Sequence, residues 1–115
     1  MVLLRTEKMT EKYYEHQKSR LEAGVCPMCE KVPLYKFDKW KIIENDFPYD
    51  LISSEHHMLV PVRHIEERDL NNEETQELLD IKDKFIHNRY DFIIEATAKN
   101  KSIPNHFHLH LIVSI

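Results

Sequence analysis

The chain is predicted to adopt an α+β fold, in which an antiparallel sheet of about five strands is accompanied by two helices. Three observations predict this class: two separate helix-like segments, short strand-like runs joined by hairpin-length turns, and a C-terminal run in which histidine alternates with apolar residues. The length of 115 residues, with 42% hydrophobic and 31% charged residues, suits one modest core. We expect a single domain over 1–115, with an N-terminal helical segment (1–25) and a core (26–115).

Two segments have helical character. Residues 6–22 are rich in Glu, Lys, Gln and Arg, and Gly24 follows closely enough to end that helix. Its apolar stripe is thin, which predicts a peripheral helix or one that contacts a second subunit. The second helix starts after Asn71, whose amide can cap it, and apolar residues at helical spacing continue it to about Tyr90.

Strand-like segments occupy the intervals between the helices. The first two form a predicted hairpin, and the polar, turn-rich residues 45–55 that follow are predicted to form a loop. A second loop is expected over 97–105, before the histidine run. The predicted strands are 33–37, 40–44, 57–62, 92–96 and 106–112.

Composition limits the classes of function. The net charge is −4 and charges of both signs are interspersed, which argues against a broad surface for duplex nucleic acid. No apolar run approaches the ~20 residues that span a bilayer, and the first residues lack the apolar core of a signal peptide. Cys26 and Cys29 are too close in sequence to staple the fold, so we expect a cytosolic protein whose thiols are reduced or bound to metal.

The most informative pattern is the histidine run at the C-terminus. His106, His108 and His110 are spaced by two, with apolar residues between them, so a strand would place all three imidazoles on one face. The row would span roughly 13 Å along the strand. A phosphate fits along it, with one ring attacking and the others holding charge. The alternatives are a half-exposed edge strand and a joint metal site, although three rings along one strand do not readily converge on one ion.

The residues at four places resemble the histidine triad (HIT) superfamily. Residues 106–112 match its His-φ-His-φ-His-φ-φ signature at every position, where φ is apolar. Residues 56–65 are similar to the family's His-x-Leu-Val-x-Pro-x-x-His strand and turn, and 45–49 resemble its Asn-x-x-Pro segment. Cys26-Pro-Met-Cys29 is similar to a Cys-x-x-Cys pair found in a subset. The resemblance covers about 26–112 and implies the same α+β arrangement.

The resemblance also implies roles for individual residues. His108, the middle histidine, would be the nucleophile that attacks phosphorus, and His110 would hold the phosphate oxygens or help the leaving group depart. His56 would approach the same phosphate from the neighbouring strand. Many relatives have a Gly-, Ser- and Asn-rich segment before the triad; here Ser102 and Asn105 are the candidate substrate-binding residues.

The cysteine pair belongs to a second candidate site. Cys-x-x-Cys supplies two zinc ligands and needs two more. By resemblance to zinc-containing relatives, the set is Cys26, Cys29, His64 and His106, a closed Cys2His2 site that would hold a structural ion. The alternative is a pair of inert cysteines that bind nothing. A thioredoxin-like redox role is disfavoured because no strand-to-helix context surrounds Cys26.

The leading hypothesis is a nucleotide-phosphate hydrolase or nucleotidyl transferase that works through a nucleotidyl-His108 intermediate without a catalytic metal. The alternative is a nucleotide-binding or protein-interaction module that keeps the fold but turns over poorly. Two departures favour the alternative: Glu95 stands where many relatives have asparagine, and residues 98–105 contain no glycine. The resemblance further implies a homodimer.

Overall fold

The computed structural model describes residues 4–24, 26–99, 103 and 105–115. It confirms the α+β class. The helices are α1 (Glu7–Ala23), α2 (Pro27–Glu30), α3 (Asn72–Ile81) and α4 (His87–Arg89), with a 3-10 turn over Glu67–Asp69 and a π-helical turn over Lys82–Ile86. The strands are β1 (Tyr35–Lys36), β2 (Trp40–Glu44), β3 (Ser53–Pro61), β4 (Phe92–Ile94) and β5 (Leu109–Ser114).

The first predicted helix is present and its ends follow from two residues. The Thr6 side chain accepts a hydrogen bond from the Met9 N–H, which caps the first turn. Gly24 adopts φ 70°, a left-handed conformation, and its N–H donates to Arg20 O. No helix in the described ranges is both long enough and apolar enough to cross a membrane.

The five strands form one antiparallel sheet in the order β1-β2-β3-β5-β4. β5 is hydrogen-bonded on both sides, by β3 and by β4. The histidine run therefore leads into an interior strand, and the edge-strand interpretation is wrong. The register pairs Met58 with His110, so these two side chains share one face of the sheet.

The histidine run is only partly a strand. β5 begins at Leu109 rather than within the predicted 106–112, so His106 and His108 precede it. Both rings lie within hydrogen-bond distance of backbone carbonyls: His106 Nε2 is 3.0 Å from Pro61 O, and His108 Nδ1 is 2.9 Å from the carbonyl of His106. Pairing of β5 with β3 ends at Leu59 and Leu109, and before it the Phe107 N–H donates to the Ile65 carbonyl at 2.8 Å, so the backbone at 106–108 leaves the strand ladder.

Other strand boundaries also differ from the prediction: β1 covers Tyr35–Lys36 rather than 33–37, β3 ends one residue earlier than 62, and β5 continues two residues beyond 112. β3 begins at Ser53, inside the predicted loop 45–55, because its first residues pair with the end of β5 around a register shift. β4 ends at Ile94, two residues early. At the start of β3, pairing with β5 therefore outweighs the turn-rich composition of the local sequence.

The sheet separates two apolar clusters. Phe107, Leu109 and Leu111 belong to the larger one, so the predicted alternation of histidine and apolar side chains holds even before β5 begins. The larger cluster comprises Trp40, Ile42, Leu59, Leu78, Ile81, Ile86, Tyr90, Phe107, Leu109 and Leu111. A smaller cluster of Met28, Ile43 and Val60 brings α2 against the sheet.

The start of α3 is joined to the turn that follows β3. Asn71 and Glu74 form a reciprocal capping box, as an amide cap predicts. The Glu74 carboxylate is buried and accepts two hydrogen bonds from Arg63, at 2.9 Å from Nε and 2.6 Å from a terminal nitrogen. A paired guanidinium and carboxylate hold a rigid fork geometry, so this contact fixes the backbone next to His64.

Candidate active site and metal centre

Four histidines from two neighbouring segments are buried together. His56 lies on β3, and His106, His108 and His110 lie on or just before β5; their exposed fractions are 1–5%. Nε2 of His56 is 2.8 Å from Nδ1 of His110, and the His108 ring lies edge-on to the His110 ring at 5.2 Å between centroids. The structure thus brings together the three residues predicted to be catalytic.

The hydrogen bonds around His56 and His110 determine which nitrogens carry protons. The Tyr49 backbone N–H donates to His56 Nδ1 at 2.9 Å, so neutral His56 carries its proton on Nε2. That proton points to His110 Nδ1, which must accept it, and His110 therefore carries its own proton on Nε2. Nε2 of His110 is 3.3 Å from the Tyr49 hydroxyl. The chain of bonds leaves His110 with an N–H donor directed away from His56.

A different bond sets the tautomer of His108. Its Nδ1 lies 2.9 Å from the His106 carbonyl, which can only accept, so Nδ1 carries a proton, and the neutral form of the ring has its lone pair on Nε2. The ring lines an open cleft together with His110. A neutral imidazole with a directed lone pair at the wall of a cleft can act as a nucleophile.

Burial keeps the inner pair uncharged. It lowers the pKa of His56 to about 3 and that of His110 to about 2, and the nearby Arg5 and histidine charges lower both further. Both rings are therefore neutral at physiological pH. His110 can donate a hydrogen bond to an anion from its Nε2, whereas the single N–H of His56 is directed at His110, and neither ring supplies a positive charge.

These lowered pKa values predict an acid-sensitive fold. A histidine in the unfolded chain titrates near its ordinary pKa of 6.5, so below that pH the unfolded state binds more protons. The stability contributed by neutral His110 is complete above this pH and falls with acidification toward about 2, by up to about 1.4 kcal/mol per pH unit per proton. Urea unfolding with saturating zinc between about pH 6.5 and pH 4 should show a shallower fall for His110→Gln than for wild type. His87→Gln, at an exposed helix position, is the control; equal slopes for all three proteins would contradict the prediction.

A second cluster lies beside the histidines. Cys26, Cys29, His64 and His106 place one sulfur or nitrogen each within 4.8 Å of one another. Cys29 Sγ is 3.2 Å from His64 Nδ1, the two Nδ1 atoms are 3.2 Å apart, and His106 Nδ1 is 3.5 Å from both sulfurs. These four residues can therefore bind a metal ion, as the sequence predicts.

The donor set fits zinc. A tetrahedral zinc ion, with Zn–S near 2.3 Å and Zn–N near 2.0–2.1 Å, separates its ligand atoms by roughly 3.3–3.8 Å, close to these distances. His106 Nε2 lies 3.0 Å from the Pro61 carbonyl, which holds the proton on Nε2 and turns the Nδ1 lone pair toward the cluster. Two thiols and two nitrogens oriented in this way form a closed ligand set.

The cleft has one wall that the sequence analysis did not predict. Arg5, which lies just before α1, belongs to the lining together with three residues of α1, namely Tyr13, His16 and Arg20. Phe47 also lines this part of the cleft. The segment lacks a motif, and only its basic and aromatic residues could have suggested a role. α1 is therefore not merely peripheral.

The remaining predicted residues lie in different places. Asn105 is exposed and does not line the cleft, and Ser102 is outside the described residues. Glu95 is exposed after the end of β4 and is also absent from the lining. His57, predicted to face the other side of the strand, does so, and its Nδ1 lies 2.7 Å from the Tyr90 hydroxyl.

Solved structures resemble this fold. A HIT family hydrolase from Clostridium thermocellum aligns with a TM-score of 0.52 and 17% identity over 84% of this chain and 86% of that one. A histidine triad protein from Clostridium difficile gives 0.50 and 17% over 84% and 86%, and a HIT family hydrolase from Legionella pneumophila gives 0.51 and 13% over 81% and 87%. No protein-family model matches the sequence, and no curated protein matches it significantly. The chain has the HIT fold.

Proposed function

We propose that this protein is a HIT-type nucleotide hydrolase or nucleotidyl transferase that acts at the α-phosphate of a nucleoside 5′-phosphate derivative. The observation that carries the proposal is His108: its proton is held on Nδ1 by the His106 carbonyl at 2.9 Å, and its ring lines the cleft beside His110. The HIT fold of the hydrolases from Clostridium thermocellum and Legionella pneumophila supports the same class.

In the first step His108 Nε2 forms a bond to phosphorus while the bond to the leaving group breaks. The leaving group departs with the electron pair and takes up a proton. The product is a nucleotidyl-histidine, a phosphoramidate that is itself reactive, so one difficult displacement becomes two easier ones. Water then cleaves the P–N bond and releases the nucleoside monophosphate; another acceptor in place of water gives transfer.

His110 acts as a neutral hydrogen-bond donor in this scheme, and His56 sets its tautomer by donating to its Nδ1. The proton on His110 Nε2, opposite the bond from His56 at 2.8 Å, is available to a phosphoryl oxygen or to the leaving group. A hydrogen-bond donor fixed in a buried site stabilises the charge of the transition state more than water does, because it needs no reorganisation as that charge develops. Asn105 and Ser102 are retained as candidate substrate-binding residues.

Zinc is part of the proposal as a structural ion. Cys26, Cys29, His64 and His106 would hold it, and the ion would neutralise the two thiolates and fix the segment before β5 against α2. His106 thus joins the two sites: its Nδ1 belongs to the metal cluster and its carbonyl sets the tautomer of His108. A cytosolic location and a homodimer complete the proposal.

The proposal is tested by the zinc-loaded protein and adenosine and guanosine 5′-phosphoramidates with a fluorogenic amine. Multiple turnovers of amine release, with stoichiometric nucleoside monophosphate as the second product, are expected. Binding of AMP or GMP without turnover would instead identify a nucleotide-binding module. A wild-type protein that shows no nucleotide binding and no turnover would contradict both functions.

A further inference from the structure

Arg5 lies in the wall of the cleft and has no carboxylate of the described residues within ion-pair distance, although the Asp50 carboxyl is near enough to be influenced by its charge. Arg5 donates its Nε–H to the Phe47 carbonyl at 2.7 Å, and its guanidinium lies over the rings of Tyr13 and Tyr49, at 4.3 and 4.7 Å from their centroids. No carboxylate of the described residues forms an ion pair with it, and neither terminal nitrogen donates to another described group. The donor-rich edge of a guanidinium therefore remains available in the cleft.

The position of this cation relates it to the histidine pair. The Tyr49 ring that it covers lies 5.0 Å from the His110 ring, and the Tyr49 hydroxyl is 3.3 Å from His110 Nε2. Since both rings are neutral, His110 offers an anion a hydrogen bond but no charge, and the N–H of His56 is directed at His110. Arg5 supplies the charge that this part of the site lacks.

The backbone that carries Arg5 is firmly attached. The next residue, Thr6, donates from its backbone N–H and its hydroxyl to the two Asp50 carboxylate oxygens, at 2.7 and 2.8 Å. Leu51 N donates to Leu4 O at 3.1 Å. These bonds join the start of the chain to the segment before β3, so the guanidinium is held in place before a ligand arrives.

We propose that Arg5 binds the phosphoryl oxygens of the nucleotide through its terminal N–H groups. Arginine is suited to this contact because its planar fork pairs with two oxygens of a phosphate. Residues 98–105 contain no glycine, and Arg5 in the lining of the cleft provides phosphate-binding donors that do not depend on that segment. The inference rests on the proposed function and assigns a specific residue to phosphate recognition.

The test compares a charged ligand with a neutral one. In calorimetric titrations of the zinc-loaded protein, Arg5→Gln is expected to weaken AMP binding about tenfold or more, since a charge-assisted contact is lost. Adenosine binding should change by less than about twofold, because adenosine has no phosphate for the guanidinium to bind. Arg5→Lys keeps the charge without the fork and should fall between wild type and Arg5→Gln. The control is Arg68→Gln, at an exposed position in the 3-10 turn, which should match wild type for both ligands.

The outcomes separate this inference from the proposed function. Equal weakening of AMP and adenosine by Arg5→Gln would assign Arg5 a purely structural role and overturn the inference. Unchanged AMP binding by Arg5→Gln would also overturn the inference, as would a wild-type protein that binds neither AMP nor GMP. If Arg5→Gln loses AMP affinity but the wild type shows no turnover, the inference about Arg5 holds and the proposed enzymatic function is refuted.

Discussion

Substitution of His108 by alanine is expected to lower kcat/KM for a nucleoside phosphoramidate by at least about a thousandfold, because the group that forms the bond to phosphorus is removed. The His108 ring is buried, and its only proposed chemical role is at Nε2, so AMP affinity should change far less than turnover. Steady-state assays and calorimetric titrations on the same preparation measure the two quantities.

The control for this substitution is His87→Ala, which removes an exposed histidine from α4. It should retain wild-type kinetics. Turnover by His108→Ala at a rate close to that of wild type, in a protein whose melting temperature is unchanged, would show that another group attacks phosphorus.

Removal of zinc is expected to produce the second large effect. Replacing Cys29 by serine removes one of the four ligands and leaves an incomplete site, so stoichiometric zinc should be lost. If bound zinc contributes about 3 kcal/mol to the free energy of unfolding, its loss would lower the melting temperature of a domain of this size by roughly 10 °C. Since His106 belongs to the cluster and its carbonyl orients His108, turnover should fall with the metal content.

Elemental analysis and thermal melts with and without a zinc chelator measure these effects. The chelator should destabilise the wild type but leave the melting temperature of Cys29→Ser unchanged. Wild-type protein that contains no zinc after expression in zinc-supplemented medium, and that melts identically with chelator, would exclude the metal site. His16→Asn, outside the cluster, should keep both the zinc and the response to the chelator.

The parts of this site that could be predicted from the sequence depend on local pattern. The two-residue spacing of His106, His108 and His110 placed the rings opposite the apolar core, and this holds because Phe107 and Leu109 are buried in that core. The Cys-x-x-Cys pair likewise required two partners, and the structure brings His64 and His106 to it.

The parts that could not be predicted depend on contacts between distant residues. Arg5 and His110 are far apart in sequence, and only the packing of Tyr13 and Tyr49 around the guanidinium reveals their relation. The late start of β5 accompanies a hydrogen bond from the Phe107 N–H to the carbonyl of Ile65, a residue far away in the sequence. No periodicity in the sequence encodes either feature.

The central claim is that His108 carries the nucleotide during turnover. Rapid quenching of wild type with excess phosphoramidate in alkali, which preserves a histidine–phosphorus bond, followed by peptide mass spectrometry, tests it most directly. We predict a nucleoside monophosphate on the peptide that contains His108, formed and lost at rates compatible with turnover. An adduct on a different residue, or turnover without any adduct together with inversion of configuration at phosphorus, would contradict the claim.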